Sequence, residues 1–281
     1  RLNVLKKAGV SRVSIGIQSF QDEELKAIKR RPRQNTIYQA LDDIRQMDFP
    51  YFNIDLIYGI KGQTVESFLY SLEEALRFQP NELFIYPLYV RQGTGITERE
   101  PDDVCFRMYR AACKLLQAKG FLQTSMRRFI HHPSTDAEVS CGDEVMLSCG
   151  SGGRSYLGDL HYATRYTVCQ QCIAREIDEY MATTDFTVAR NGFILSAKEQ
   201  QQRFIIKNLM YYMGIDKAEY TRRFGEPLDR TPLFRQLAEQ YWIEETPERI
   251  RLTPEGLGYS DYIGQLFITP EIRQLMETYS Y

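Results

Sequence analysis

Phe52-Asn53-Ile54-Asp55-Leu56-Ile57-Tyr58-Gly59-Ile60-Lys61-Gly62-Gln63-Thr64 reads as a strand, a glycine-bearing turn and the start of a helix. Phe52, Ile54 and Leu56 alternate with Asn53, Asp55 and Ile57. A side-chain period of two then turns one set towards covering helices and Asp55 the other way. Gly59 and Gly62 allow tight backbone, Thr64 suits a helix cap, and Glu66 places an acid in the first turn. Taken alone, the stretch needs no ligand, because a cap-and-turn connection explains it and short motifs match by chance.

A second unit of the same kind lies upstream. Val13, Ile15 and Ile17 alternate with Ser14, Gly16 and Gln18, and Ser19-Phe20-Gln21-Asp22 reads as a capping sequence for a helix from Gln21 to about Arg31. Gln18 and Asp55 therefore fall on the polar faces of two successive strands, at their carboxyl ends. Parallel α/β folds bind ligands at those ends.

Working outward, Asn35 or Thr36 is expected to cap a helix carrying Ile37, Ala40, Leu41, Ile44 and Met47 on one face. A helix from Val65 to Phe78, a third strand from Leu83 to Val90 and a strong helix from Asp102 to Lys119 follow. Each crossover is long enough to join parallel strands, which need cover or closure, and three strands alone would leave an edge open. Gln123 to Ile130 reads as one further strand, and Ser148 to Gly158, with glycines at 150, 152, 153 and 158, as a loop able either to approach an anion or to serve as a tight crossover. Beyond a boundary near residue 185 come helices from Ser196, Lys217 and Pro232. A hairpin of 242–245 with 249–252 and a helix opening at Thr253-Pro254 complete a winged-helix-like arrangement. That segment has no basic recognition helix, so packing or a lid role is expected instead of nucleic-acid binding.

Composition narrows the function classes. The 281 residues carry 35 Lys+Arg against 37 Asp+Glu, a net charge of −2, with 43% hydrophobic and 26% charged residues. No polyanion-binding excess is present, and no apolar run approaches the ~18 residues of a membrane span. With no secretory signal visible, the expected location is the cytoplasm. The sequence opens at Arg1 inside an apolar-periodic segment, Leu2, Val4, Leu5 and Ala8, which gives the expectation of a piece of a longer protein.

Six cysteines stand at 105, 113, 141, 149, 169 and 172. Disulfides are not expected in such a setting. Cys169-Gln170-Gln171-Cys172 has metal-ligand spacing that Cys141 and Cys149 would complete to four thiolates, although the second pair lacks the usual close spacing, so no metal ligand is assigned. Cys113 fits a helix core. His131-His132-Pro133 reads as an exposed turn, and His161 as a structural histidine or an acid–base or substrate contact. Arg30 and Arg31 suit a helix C-terminus. Arg127, Arg128 and Arg154 are candidates for bidentate contacts to substrate carboxylates.

Gly9 through Phe20, Asn53 through Gly59 with Gly62-Gln63-Thr64, and Tyr86-Pro87-Leu88 followed by Gly93-Thr94 together resemble the HemN/HemW family. These are radical S-adenosylmethionine (SAM) proteins related to oxygen-independent coproporphyrinogen III oxidase. Leu252-Thr253-Pro254-Glu255-Gly256 resembles the family's C-terminal domain. The resemblance implies an α/β fold, the C-terminal half of a partial (β/α)6 radical SAM barrel followed by a mostly helical, winged-helix-like C-terminal domain. It divides the chain into the last three β/α units (1–100), a post-barrel helix with a glycine-rich crossover (101–184) and the C-terminal domain (185–281). It implies SAM contacts from Gln18, Arg30, Asp55 and the backbone near Tyr89, and loosely associates Arg154 with a second SAM or the substrate.

By the same resemblance, a 4Fe-4S cluster fed by an electron donor would cleave SAM to a 5′-deoxyadenosyl radical that takes hydrogen from a small-molecule substrate, a tetrapyrrole being one candidate, in porphyrin biosynthesis. The alternative is a HemW-like haem chaperone without oxidase activity. Two departures stand out. No cysteines here reproduce the family's Cys-x3-Cys-x2-Cys spacing, so the cluster ligands are expected upstream of Arg1, and Lys61 stands where a proline is usual.

Overall fold

The alternation over 52–58 does produce a strand, and the face it buries organises the first part of the chain. In the computed structural model, residues 2–31, 34–91, 93–131, 145–165, 167, 169–228 and 231–278 are described. They divide into two units, Arg1–Arg91 with Gly95–Pro133, and Gln92–Thr94 with Ser134–Tyr281.

In the first unit, α1 (Leu2–Lys7), β1 (Arg12–Gln18), α2 (Asp22–Ala27), α3 (Gln34–Gln46), β2 (Tyr51–Tyr58), α4 (Val65–Leu76), β3 (Glu82–Pro87), α5 (Asp102–Ala118), β4 (Leu122–Gln123) and β5 (Arg128–Ile130) follow in order. The sheet runs β1-β2-β3-β5-β4. β1, β2 and β3 are parallel, as their helical crossovers require, whereas β5 joins β3 antiparallel. Ile54 and Leu56 of β2 and Leu83 and Ile85 of β3 pack against Leu41 and Ile44 of α3, Phe68 and Leu72 of α4, and Met108 and Leu116 of α5. Helices thus cover one face, and the alternate set, Ser14, Asn53, Asp55, Glu82 and Arg128, forms the other. The α4 start behaves as read: Thr64 Oγ1 accepts from the Ser67 amide at 3.1 Å, and Ser67 Oγ accepts from the Thr64 amide at 3.0 Å.

Several expectations need correction. Helix α2 ends at Ala27, short of Arg31, because Lys29 adopts φ 58 and a Schellman pattern closes the helix: Arg30 N donates to Leu25 O at 2.8 Å and Lys29 N to Lys26 O at 2.9 Å. Ser19 does not cap it, since the N-cap is Gln21. Helix α3 already includes Gln34, so Asn35 and Thr36 lie inside its first turn. The single strand expected over 123–130 is a hairpin, in which Ser125 Oγ accepts from the amides of Arg127 at 3.3 Å and Arg128 at 3.2 Å and turns the chain. That hairpin covers the edge of β3 expected to lie open.

The second unit holds an antiparallel sheet β6-β7-β8-β9, from β6 (Val145–Met146), β7 (Arg154–Leu157), β8 (Leu160–Ala163) and β9 (Gly192–Ile194), with α6 (Gln170–Ala182) between the last two strands in sequence. The glycine-rich segment read as a loop makes turns of this sheet instead; the tight Leu157–Leu160 turn uses Gly158 at φ 61. Then α7 (Ala197–Leu209), β10 (Ile215–Asp216), α8 (Lys217–Phe224), α9 (Pro232–Glu239), β11 (Ile243–Glu245) and β12 (Arg249–Leu252) enclose a core of Ile205, Leu209, Phe234, Ile250 and Leu252. The expected hairpin is present, with β10 as a third strand in the order β10-β12-β11. After it, α10 (Pro254–Gly258), capped by Thr253, sits so close to the hairpin that a Cβ on Gly256 would lie 2.1 Å from the Trp242 carbonyl oxygen. Helices α11 (Ser260–Leu266) and α12 (Pro270–Thr278) end the described chain. Among the described residues, no helix is long and apolar enough to cross a membrane.

Candidate functional site

Gly16 is the node of the site at the carboxyl end of β1. It pairs with Asp55 across the sheet, and the register then shifts at a bulge so that Gln18 meets Leu56. Gln18 lies at φ 75, a left-handed conformation that a side chain rarely adopts and that concentrates at functional sites. Its side chain folds back over Gly16, where a Cβ would come within 2.4 Å of Gln18 Nε2. Arg30, delivered by the Schellman turn, donates from Nη1 to Gly16 O at 2.9 Å. The structure therefore brings Gln18, Arg30 and Asp55 around one glycine.

On the sheet beneath, Asn53 Nδ2 donates to Asp55 Oδ1 and to Ser14 Oγ, both at 2.6 Å. Burial pushes the Asp55 carboxyl above its ordinary range; hydrogen bonds from Asn53 and Ser14 act against this, and the charge of Glu82 adds to it. Asn53 Oδ1 is buried with no hydrogen-bond partner among the described residues. Such an acceptor is costly unless something satisfies it.

Sequence reasoning missed the network that fixes these strand ends. Buried Glu24 of α2 accepts from Ser19 Oγ and Ser67 Oγ, each at 2.5 Å, and from Gln63 Nε2 at 2.8 Å. Gln63 Oε1 in turn accepts from the amides of Gly59 at 2.8 Å and Ile60 at 3.3 Å. One carboxylate thus ties the segment after β1 to the turn after β2. Gln63 stood in the stretch that decides the fold, but nothing in the sequence pairs it with Glu24.

Tyr89 follows β3, and its hydroxyl accepts from Arg127 Nη2 at 2.6 Å while the Arg127 guanidinium lies over the Tyr86 and Tyr89 rings at 5.8 and 5.7 Å. A residue expected near SAM and one expected near substrate are thereby joined. Arg128 goes elsewhere: it is buried against Glu82, which also pairs with Arg12 at 3.1 Å. Arg154 belongs to the second unit. There His161 stacks on Tyr156 at 4.3 Å and meets Phe193 edge-on at 5.3 Å. Burial lowers the His161 pKa, and the charges of Arg154 and Arg203 lower it further, which favours the neutral ring. His131 packs against Phe121 at 5.1 Å, while His132, Pro133 and Cys141 lie outside the described residues.

The described cysteines are not gathered as a 4Fe-4S cluster would need. Cys105 is buried beneath Gly59, Cys113 packs against the first core with its thiol pushed up to about 11 by burial, and no group of three or more His, Cys, Asp or Glu among the described residues is placed to hold a metal.

Comparison with known proteins bears on the fold and the family. The Radical SAM superfamily profile matches residues 1–75, and the HemN C-terminal domain matches 195–258. The heme chaperone HemW of Bacillus subtilis is 26% identical over 95% of this chain and 73% of its own length. The oxygen-independent coproporphyrinogen III oxidase of Thermostichus vulcanus is 25% identical over 89% of this chain and 83% of its own. The solved structure of coproporphyrinogen III oxidase HemN from Escherichia coli superposes with a TM-score of 0.74 at 22% identity, covering 95% of this chain and 66% of that one, just under two thirds of its length. Fold and matches together define a protein of the radical SAM superfamily with a HemN-type C-terminal domain. Within that superfamily, the chain is similar to proteins of the HemN/HemW family.

Proposed function

We propose that the chain binds SAM at the carboxyl ends of β1, β2 and β3 and serves a radical SAM oxidoreductase acting on a tetrapyrrole, in the manner of coproporphyrinogen III oxidase. The cluster of Gln18, Arg30 and Asp55 around Gly16 carries this reading. Its donor set matches SAM: a guanidinium for the carboxylate, a carboxylate and the unpaired Asn53 Oδ1 for amine or hydroxyl groups, and an amide that both donates and accepts. When bound, SAM supplies the means of removing hydrogen from an unactivated carbon. The chain's own work is to orient it and to exclude water through the Glu24 and Gln63 network. A cluster is implied by the family, but the described residues do not ligate one. Arg127, already held over two rings, is the preorganised contact for a substrate carboxylate. Arg154, in the second unit, is proposed as a carboxylate contact in its own right.

Equilibrium dialysis with labelled SAM tests the site. Asp55→Asn is expected to weaken binding about 10- to 100-fold, the worth of one charged hydrogen bond. Gly16→Ala is expected to weaken it by displacing the Gln18 amide while leaving the thermal midpoint nearly unchanged, since only a flexible side chain must move. Unchanged affinity in both variants would sink the assignment. Relatives named both oxidase and heme chaperone match the chain, so a second titration compares coproporphyrin III with haem. Preference for the four-carboxylate ligand, lost in Arg127→Ala, supports the oxidase; preference for haem moves the reading to the chaperone.

A further inference from the structure

The second unit contains a pair of thiols that the SAM site does not use. Cys169 is the N-cap of the 13-residue helix α6, and its Sγ accepts from the Cys172 amide at 3.5 Å, where a serine or threonine oxygen ordinarily sits. Cys172 follows three residues on, in the first turn of the same helix, a spacing that makes the two side chains neighbours. Both residues are half-buried, so each is fixed by the helix yet open to a small reagent.

The electrostatics of this helix end favour a thiolate. No acidic residue occupies the first turn of α6, whereas Glu66 in α4 and Glu199 in α7 fill that place. The first acid along α6, Glu176, is held by Arg165 Nε at 2.9 Å. The Cys169 thiol is lowered from its ordinary range, first by the thiol and backbone amide of Cys172 and further by the charge of Arg175. Burial acts in the opposite direction on the two α5 thiols, raising both Cys105 and Cys113.

We propose that Cys169 and Cys172 form a redox-active dithiol that exchanges with small organic disulfides of the glutathione class. The Cys169 thiolate attacks one sulfur of the disulfide RSSR; a Cys169–SR bond forms, the S–S bond breaks and RS⁻ leaves, taking up the proton that Cys169 released. The Cys172 thiol then gives up its proton and attacks the Cys169 sulfur, closing the intramolecular disulfide and expelling the second RS⁻, which takes up that proton. The dithiol is oxidised by two electrons, and RSSR is reduced to two RSH.

The test uses the full chain. At neutral pH, limiting iodoacetamide should alkylate Cys169 about tenfold faster than exposed Cys149, in line with its thiolate character. Buffers of graded reduced and oxidised glutathione, quenched with acid and mapped by mass spectrometry, should yield a Cys169–Cys172 disulfide. Cys172→Ser should stop at a glutathione adduct on Cys169. Cys169→Ser keeps a capping hydroxyl, so the helix remains, and should leave Cys172 without an adduct. Three results overturn the proposal: Cys169 reacting no faster than Cys149, oxidation joining either sulfur to another cysteine, or protection of both sulfurs that a chelator removes, which would mark a metal site instead.

Discussion

Asp55 is half-buried among donors that only partly offset the cost of its charge. Because its folded pKa is raised above the ordinary value of 3.8, the folded state holds the proton more tightly than the unfolded chain does. Its contribution to stability is therefore present below that value and lost as pH rises through the raised one. Asp55→Asn should accordingly raise the thermal midpoint at pH 7 relative to the parent, and the difference should shrink as the pH is lowered towards about 4. A scan of melting temperature against pH checks this; a stability gained together with loss of SAM binding is the signature of a group kept for function. The orientation of Asp55 was legible from period two alone. Gln18 was legible as a position but not as a conformation, since the bulge and positive φ break that period. Arg127 and Arg128 looked equivalent in sequence, yet the Ser125 turn sends one to two tyrosines and the other to Glu82.

Between elements, the connection that matters most is Glu24 joining α2 to the start of α4. Glu24→Gln removes the charge and leaves a single acceptor oxygen where Ser19, Ser67 and Gln63 now donate to two, so the three bonds cannot all be kept as they are. The expected cost is about 1–3 kcal/mol in urea unfolding, with weakened SAM binding because the turn after β2 loosens. An unchanged urea midpoint would show that the tie is not formed. The three parallel strands, α4 and α5 were readable because their periodicity runs for six residues or more. The end of α2 was not, because a lysine takes the place a glycine usually marks. The sheet β6 to β9 was also missed: its strands are two to four residues long, too short for a period to declare itself between glycine turns.

The whole chain has separate hydrophobic cores in its two units, and a change in one need not be felt in the other. Gly256→Ala tests this. The added methyl would meet the Trp242 carbonyl at 2.1 Å, a backbone atom that cannot rotate away, so about 1–3 kcal/mol is expected to be lost from the second unit. Hydrogen exchange should speed up in β11 and β12 and stay unchanged in β2. Matching acceleration in both would show one cooperative body. The winged-helix-like end was legible from the Trp242–Gly256 segment, whereas β10 was not, being only two residues long and paired with a strand far along the chain.

The buried ties between the segment after β1 and the turn and helix after β2 span 39 to 52 residues of sequence. Closing such loops costs chain entropy before any contact repays it, so these ties are expected to form after the barrier to folding has been crossed. SAM bound between those strand ends should then leave the refolding rate nearly untouched and slow unfolding in proportion to its occupancy, as stopped-flow traces with and without the ligand would record. A cell that keeps SAM plentiful would lengthen the life of the folded chain without hastening its birth.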